Sequence, residues 1–467
     1  WRVVICIFAR YKSNCMHSSL SNLYKSKDRG LQYMKERMNI DKEKGNMKKR
    51  NLKEKRRKII RRILFSIFIA IIIGAYLILV NATSRADYVQ KDNIIEQENE
   101  KKIQSLISEA EKFKNSYYID EAIELLQSDE SLINNEEIIK KIDSYKAYKE
   151  SFIKYEGPIE HIFFHSLIVY QELAFDNIGH DANGYNMWFV TIDEFKGILP
   201  LLHNNGYVVM DITEIFKKNN EGKMVQQEIY LPGGKKPLII SQDDVNYYKY
   251  MSKDGFADKL VVDSNNEIST VVRTPEGEEQ ITRDGDIVPI LDDYIKENLG
   301  FSYKGEKGIL VVTGYEGVLG YRIDSEGSKD EAKRVVNRLK ETGWRIASHS
   351  YTHNGTGYFG ENPQYDKLES DFEKWKIRIE PIVGETNIYI APFGVTLQGN
   401  NYELVEKYGF EIYCNVSRIS TTTIKDNSVI TPRFNIDGFT FFRAKESVDE
   451  RFFDVNKVID NSRPTLK

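Results

Sequence analysis

The stretch Ile346-Ala347-Ser348-His349-Ser350-Tyr351-Thr352-His353 governs how this chain is read. A short apolar run, rich in small residues, leads into two histidines four positions apart. If the backbone turns helically after Ser348, residues i and i+4 project from one face. Two imidazoles on one face hold one metal ion. The same spacing also arises without a metal, because neutral histidines are satisfied by ordinary hydrogen bonds. A second element narrows the choice: Ile239-Ile240-Ser241-Gln242-Asp243-Asp244, an apolar strand that ends in two adjacent carboxylates. A strand delivering two acids to a barrel mouth supplies one metal ligand and one base. Two histidines and one carboxylate leave positions open on a divalent ion, which is the catalytic rather than the structural pattern.

Outward from these two motifs, strands alternate with helices. After Gly157-Pro158, residues 161–169 read as a strand and 191–205 as an amphipathic helix. Strands are expected at 206–210, 238–242, 308–313, 344–348, 387–391 and 410–414, with helices at 329–342, 365–383, 404–408 and 446–459. Residues 245–308 are irregular, rich in Gly and charge, with one helix near 288–298, and read as an insertion. Such alternation predicts an α/β fold with a parallel sheet, closed or open. The length from 156 to 467 suffices for a (β/α) barrel with an insertion.

These residues resemble the polysaccharide deacetylases with a NodB homology domain, carbohydrate esterase family 4. That family carries T-F-D-D, here Ser241-Gln242-Asp243-Asp244, and H-[ST]-x-x-[HD], matched in full by His349-Ser350-Tyr351-Thr352-His353. Its R-x-P-[YF]-G motif appears as Ile390-Ala391-Pro392-Phe393-Gly394, with Ile390 in place of the arginine that orients the base. The family's closing strand ends in a general-acid histidine, yet no histidine follows His353. Ile162-Phe163-Phe164-His165-Ser166 is similar to that strand but precedes the acid pair, so the order is circularly permuted, with the last βα unit first. In a closed barrel the termini adjoin and such a permutation is tolerated.

The resemblance implies a deacetylase-type barrel and a role for each residue. Asp244, His349 and His353 would bind a divalent metal, Zn2+ by family habit. Asp243 would take the proton of the attacking water. The oxyanion would face the metal and a backbone N–H near Phe393, beside Pro392. His165, as imidazolium, would protonate the leaving sugar amine. Arg433 would either supply the missing guanidinium or form a surface salt bridge; the surface bridge is expected. Trp188, Tyr358 and Phe359 would stack on sugar rings or fill the core. His161 is expected to be structural and to share no face with His165. His17, His180 and His203 fit no constellation.

Further out lies the N-terminal region. Residues 47–62 read MKKRNLKEKRRKIIRR, and residues 63–80 read ILFSIFIAIIIGAYLILV with no charge. Eighteen such residues span a hydrocarbon core as a helix. The basic flank puts the N-terminus in the cytoplasm and the body outside. Arg85 among Ala82, Ser84 and Ala86 makes a poor cleavage site, so an uncleaved anchor is expected. Residues before Met47 have mixed composition and are read as upstream sequence or an unstructured tail. The expected domains are a basic tail (1–62), a transmembrane helix (63–80), a helical stalk (81–155) and a catalytic domain (156–467).

Composition sets limits. Residues 1–62 carry 20 Lys+Arg against 5 Asp+Glu, a net +15, and the whole chain is −4, so the remainder stands at −19. An acidic body argues against nucleic acid, whose binding is driven by phosphate neutralisation. Of three cysteines only Cys414 follows the apolar segment, which excludes a disulfide framework there. The expected function is N-deacetylation of an acetylated polysaccharide, peptidoglycan or poly-N-acetylglucosamine. The alternatives are an O-acetyl esterase and a catalytically silent carbohydrate-binding protein of the envelope.

Overall fold

The computed structural model describes residues 31–178 and 182–465. His17, His180 and the first half of the expected basic tail therefore lie outside the described residues. The described chain divides into two compact units between Asn99 and Glu100.

The first unit is helical, part of a helix spanning Leu31–Asn115. Its apolar run is exposed from Ile63 to Val80 apart from Gly74, with Phe65, Phe68 and Leu79 all more than half exposed. It is the one helix among the described residues long and apolar enough to cross a membrane.

The second unit begins with three helical segments: the end of that helix, Ile119–Gln127 and Glu136–Glu150. Ile103, Ile107, Ala122, Leu126, Ile138 and Ile142 form a small core of their own. Asn135 caps the last segment, accepting from the N–H groups of Glu137 and Ile138.

Eight parallel strands follow, numbered here in chain order: β1 Glu160–Phe164, β2 Tyr207–Val209, β3 Lys236–Gln242, β4 Ile309–Val312, β5 Arg345–Ser348, β6 Ile388–Ile390, β7 Ile412–Val416 and β8 Val429–Asn435. Seven of them close a ring in the order β1-β3-β4-β5-β6-β7-β8, and β8 pairs back onto β1. β2 lies outside the ring, paired with the start of β3 at Lys236–Leu238, before β4 takes over at Ser241 and Gln242. Closure leaves the ring without an open edge. β1, which ends one residue before His165, thus sits between β3, which leads into the acid pair, and β8, which carries Arg433.

Strand parity sorts the side chains. Ile239, Ile309, Val311, Ala347, Ile390, Ile412 and Cys414 fill the barrel interior. Ile162, Phe164, Leu238, Ile240, Leu310, Val312, Tyr389 and Tyr413 face the surrounding helices. Both faces are buried, which is why these strands read as unbroken apolar runs.

Four expectations need correction. No helix includes His349 to His353; the histidine pair lies on a loop. The region 245–308 is not irregular: Ala257–Val262, Ile268–Arg273 and Glu279–Thr282 form an antiparallel sheet. The last helix stops at Arg451, where Phe452 and Phe453 turn into the core, and Val455–Lys457 is a separate 3-10 turn. His161 shares a face with His165, because positions four apart on a strand point the same way.

Candidate active site

The acid pair is split by backbone conformation. The Asp243 N–H still donates to the Phe164 carbonyl at 2.8 Å, as a strand residue would. Asp244 then takes φ +56, a left-handed conformation that Asp tolerates better than most residues. The two carboxylates therefore serve different partners. Asp243 accepts both arms of the Arg433 guanidinium, at 2.6 and 2.9 Å. Asp244 accepts the Tyr248 hydroxyl at 2.7 Å, and its Oδ1 lies 3.7 Å from His353 Nε2.

The histidines are presented by a tight loop. His349 Nδ1 lies 2.7 Å from the Ile390 carbonyl. A carbonyl only accepts, so Nδ1 carries the proton and Nε2 keeps its lone pair for the cleft. Ser350 (φ +64) and His353 (φ +47) are both left-handed, and the Ser350 hydroxyl accepts the His353 N–H at 2.9 Å. Buried Asp371, from the helix Tyr365–Arg378, pins the loop. It accepts the N–H groups of Tyr351 (2.7 Å) and Thr352 (2.8 Å) and the Thr352 hydroxyl (2.6 Å). Loop geometry, not helical spacing, thus brings the two rings to 4.9 Å between centroids.

Asp244, His349 and His353 place one donor atom each within 4.8 Å of one another. The set fits a divalent ion: one carboxylate and two imidazoles, two of them oriented by Tyr248 and the Ile390 carbonyl. Burial pushes the His349 imidazole down to about 4, outweighing the upward pull of Asp243. For Asp244, burial pushes the carboxyl up, but His353, His349 and His165 together bring it below its ordinary value. Both groups are thus in the protonation state a metal needs.

Arg433 is not on the surface. It is 1% exposed, stacked 4.1 Å over the Phe163 ring, and also donates to the Ser241 hydroxyl at 3.2 Å. Ser241 in turn pairs with His161 Nε2 at 2.9 Å inside the barrel. Burial alone would raise the Asp243 carboxyl; Arg433 and His349 reverse this and hold it at about 2. A guanidinium therefore reaches the acid from β8. Gln242 is also explained. It points outward and donates to Asp286 at 2.7 Å, the cap of the helix Ile287–Glu297, so it does not line the cleft.

Asp243, Asp244, His349, His353 and Arg433 line one cleft of about 530 Å³, together with His165, Trp188, Tyr250, Phe393, Asn435 and Asp437. His165 Nδ1 lies 3.1 Å from the Trp188 carbonyl. Trp188 is half-exposed and stacks on Phe439, with centroids 5.7 Å apart. Pro392 is buried, while Phe393 (φ +56) presents its ring to the cleft. Among the described residues the Phe393 N–H has no protein acceptor. Phe359 belongs to the core, and Tyr358 does not reach the cleft. Asp371, Tyr248 and Asp437 were invisible to motif reading, because no spacing rule ties them to the histidines.

No protein-family model matches the chain, and no curated protein does either. Solved structures similar to it include IcaB from Ammonifex degensii, at 12% identity, 61% of this chain, 93% of that chain and TM-score 0.35. A de-N-acetylase from Aggregatibacter actinomycetemcomitans is similar at 13% identity over 60% of this chain and 96% of its own, with TM-score 0.36. The Streptococcus pyogenes deacetylase PplD, in complex with acetate, follows at 13% identity, 62% and 94% coverage and TM-score 0.32.

Proposed function

We propose that this chain is a membrane-anchored, metal-dependent deacetylase that removes N-acetyl groups from a cell-envelope or extracellular polysaccharide. The observation that carries this reading is the metal-fitting set of Asp244, His349 and His353 in the same cleft as a buried Asp243–Arg433 pair. When bound, a divalent ion such as Zn2+ would polarise the amide carbonyl and lower the pKa of a water. Asp243, ionised down to about pH 2, accepts the proton of the attacking water. Arg433 fixes the direction of that carboxylate. The Phe393 N–H faces the oxygen on which negative charge develops. His165 delivers a proton to the departing sugar nitrogen. The exposed aromatic rings of Trp188 and Phe393 suit the apolar faces of sugar rings. The apolar helix over 63–80 holds the enzyme in the membrane, the basic residues before it on the cytoplasmic side, and 81–155 spaces the catalytic domain (156–467) from the bilayer.

Acetate release from N-acetylglucosamine oligomers tests this directly. Release should stop on chelation and return with metal. Asp243→Asn should lower it by about 10²–10⁴ with metal content unchanged. Turnover indifferent to chelation ends the metal-dependent reading, and full turnover in Asp243→Asn removes that residue as the base.

A further inference from the structure

We propose that Arg463, in the segment after the last helical turn, is a positioning residue for the acid histidine His165. This deepens the deacetylase reading and rests on it. The Arg463 side chain is 1% exposed, and its contacts use all five N–H donors. Nε and one arm bind both oxygens of buried Glu194, at 2.6 and 2.7 Å. The same arm donates to the Phe189 carbonyl at 2.5 Å. The other arm donates to the Asn186 carbonyl and side-chain oxygen, at 2.7 and 2.8 Å. The two backbone carbonyls it grips therefore flank Trp188, whose own carbonyl lies 3.1 Å from His165 Nδ1.

The geometry gives this clamp a chemical consequence. A carbonyl accepts only, so the Trp188 oxygen keeps the proton on Nδ1 and leaves Nε2 as the nitrogen that exchanges a proton in the cleft. The strand alone does not hold the ring there: His165 lies one residue past β1 and is partly exposed. The wall that holds it comes from remote parts of the chain. The Pro464 carbonyl accepts the Asn186 side-chain amide at 2.6 Å, and the Asp460 N–H donates to Glu194 at 3.0 Å. On the other side, a Cβ at Gly438 would stand 1.8 Å from the Asn186 carbonyl, so only glycine lets the wall close.

In the step concerned, the amide C–N bond breaks, the water oxygen forms the new C–O bond of acetate, and the His165 proton goes to the leaving nitrogen. An amine needs that proton; 4-nitrophenolate does not. The test compares N-acetylglucosamine oligomers with 4-nitrophenyl acetate on the metal-loaded full chain. His165→Asn should lose about 10²–10⁴ in kcat on the amide and little on the ester. Arg463→Lys, which keeps the charge but not the fork, should lose about 10- to 100-fold in kcat on the amide. Its KM and ester rate should stay within about twofold, since it touches no substrate. If His165→Asn shows no such selectivity, the acid role falls and this proposal with it. If His165→Asn is selective and folded Arg463→Lys slows both substrates alike, or neither, the clamp is structural only and the proposal falls alone. Should Arg463→Lys fail to fold, Asn186→Ala removes one acceptor, together with the amide that donates to Pro464, and leaves the guanidinium in place. It should shift the amide-to-ester ratio by a few-fold, and an unchanged ratio overturns the proposal.

Discussion

The two ends of the barrel each hold a carboxyl beside an arginine, and the two carboxyls move in opposite directions. At the C-terminal mouth, Asp243 has a guanidinium to itself, bound through both arms, and is held at about 2. At the N-terminal end, burial pushes Glu306 up to about 7, and Asp211 adds to the rise. Arg345 stands 3.5 Å from Glu306 but 2.6 Å from Asp211. One guanidinium shared between two acids does not offset the desolvation of the second. The N-terminal end also has the larger hollow, about 620 Å³ against about 530 Å³. Lys340, Arg345, Lys376 and Glu380 line it, and among the described residues the three-ligand set lies only at the mouth. Volume does not locate chemistry here; the donor set does.

Breaking the mouth should have the largest effect. Arg433→Met leaves Asp243 buried and uncompensated, and should cost about 3–5 kcal/mol in denaturant melts. A loss below about 1 kcal/mol would mean that cleft water already solvates the acid. The N-terminal end should respond with the opposite sign. Glu306 binds its proton more tightly folded (about 7) than unfolded (4.5). Stability from this group is therefore complete below pH 4.5 and is lost as pH rises through about 7. Solvent reaching the partly exposed carboxyl screens some of this effect. Glu306→Gln should still stabilise the protein by about 2–3 kcal/mol at pH 8 and leave it unchanged at pH 4, seen in paired melts. Equal effects at both pH values would refute the contrast. The smallest of the three changes is Asp371→Asn, which puts an amide where three donors converge. Metal affinity should fall about 10- to 100-fold in a competition titration with a chromogenic chelator. Unchanged affinity would show that the loop holds His353 without Asp371.

Much of the barrel was legible along the chain. Apolar runs such as Leu238-Ile239-Ile240 in β3 and Ile309–Val312 in β4 are unbroken because both faces are covered, and the helices between them carry clear periodicity. The same double burial hid other facts. Parity cannot say which side of such a strand faces the barrel axis, so Arg433 in Thr431-Pro432-Arg433 read as a surface residue. The histidine pair was found by spacing, but for the wrong local reason: two left-handed residues, not a helical turn, bring the rings together. The antiparallel sheet at 257–282 was missed because its strands are short and broken by charge. Asp371 and Arg463 had no local signature, since each acts on backbone groups far away in number.

The linear order of residues was enough to give the alternation of strands and helices, the apolar helix, and the residue types that stood ready for metal and proton chemistry. Those properties are local, written in periodicity and side-chain chemistry. It took the folded barrel to pair Arg433 with Asp243 and to set Asp371 and Arg463 against the two sides of the cleft. Such pairings depend on ring closure and on burial, which fix distances and dielectric between residues that the chain keeps far apart.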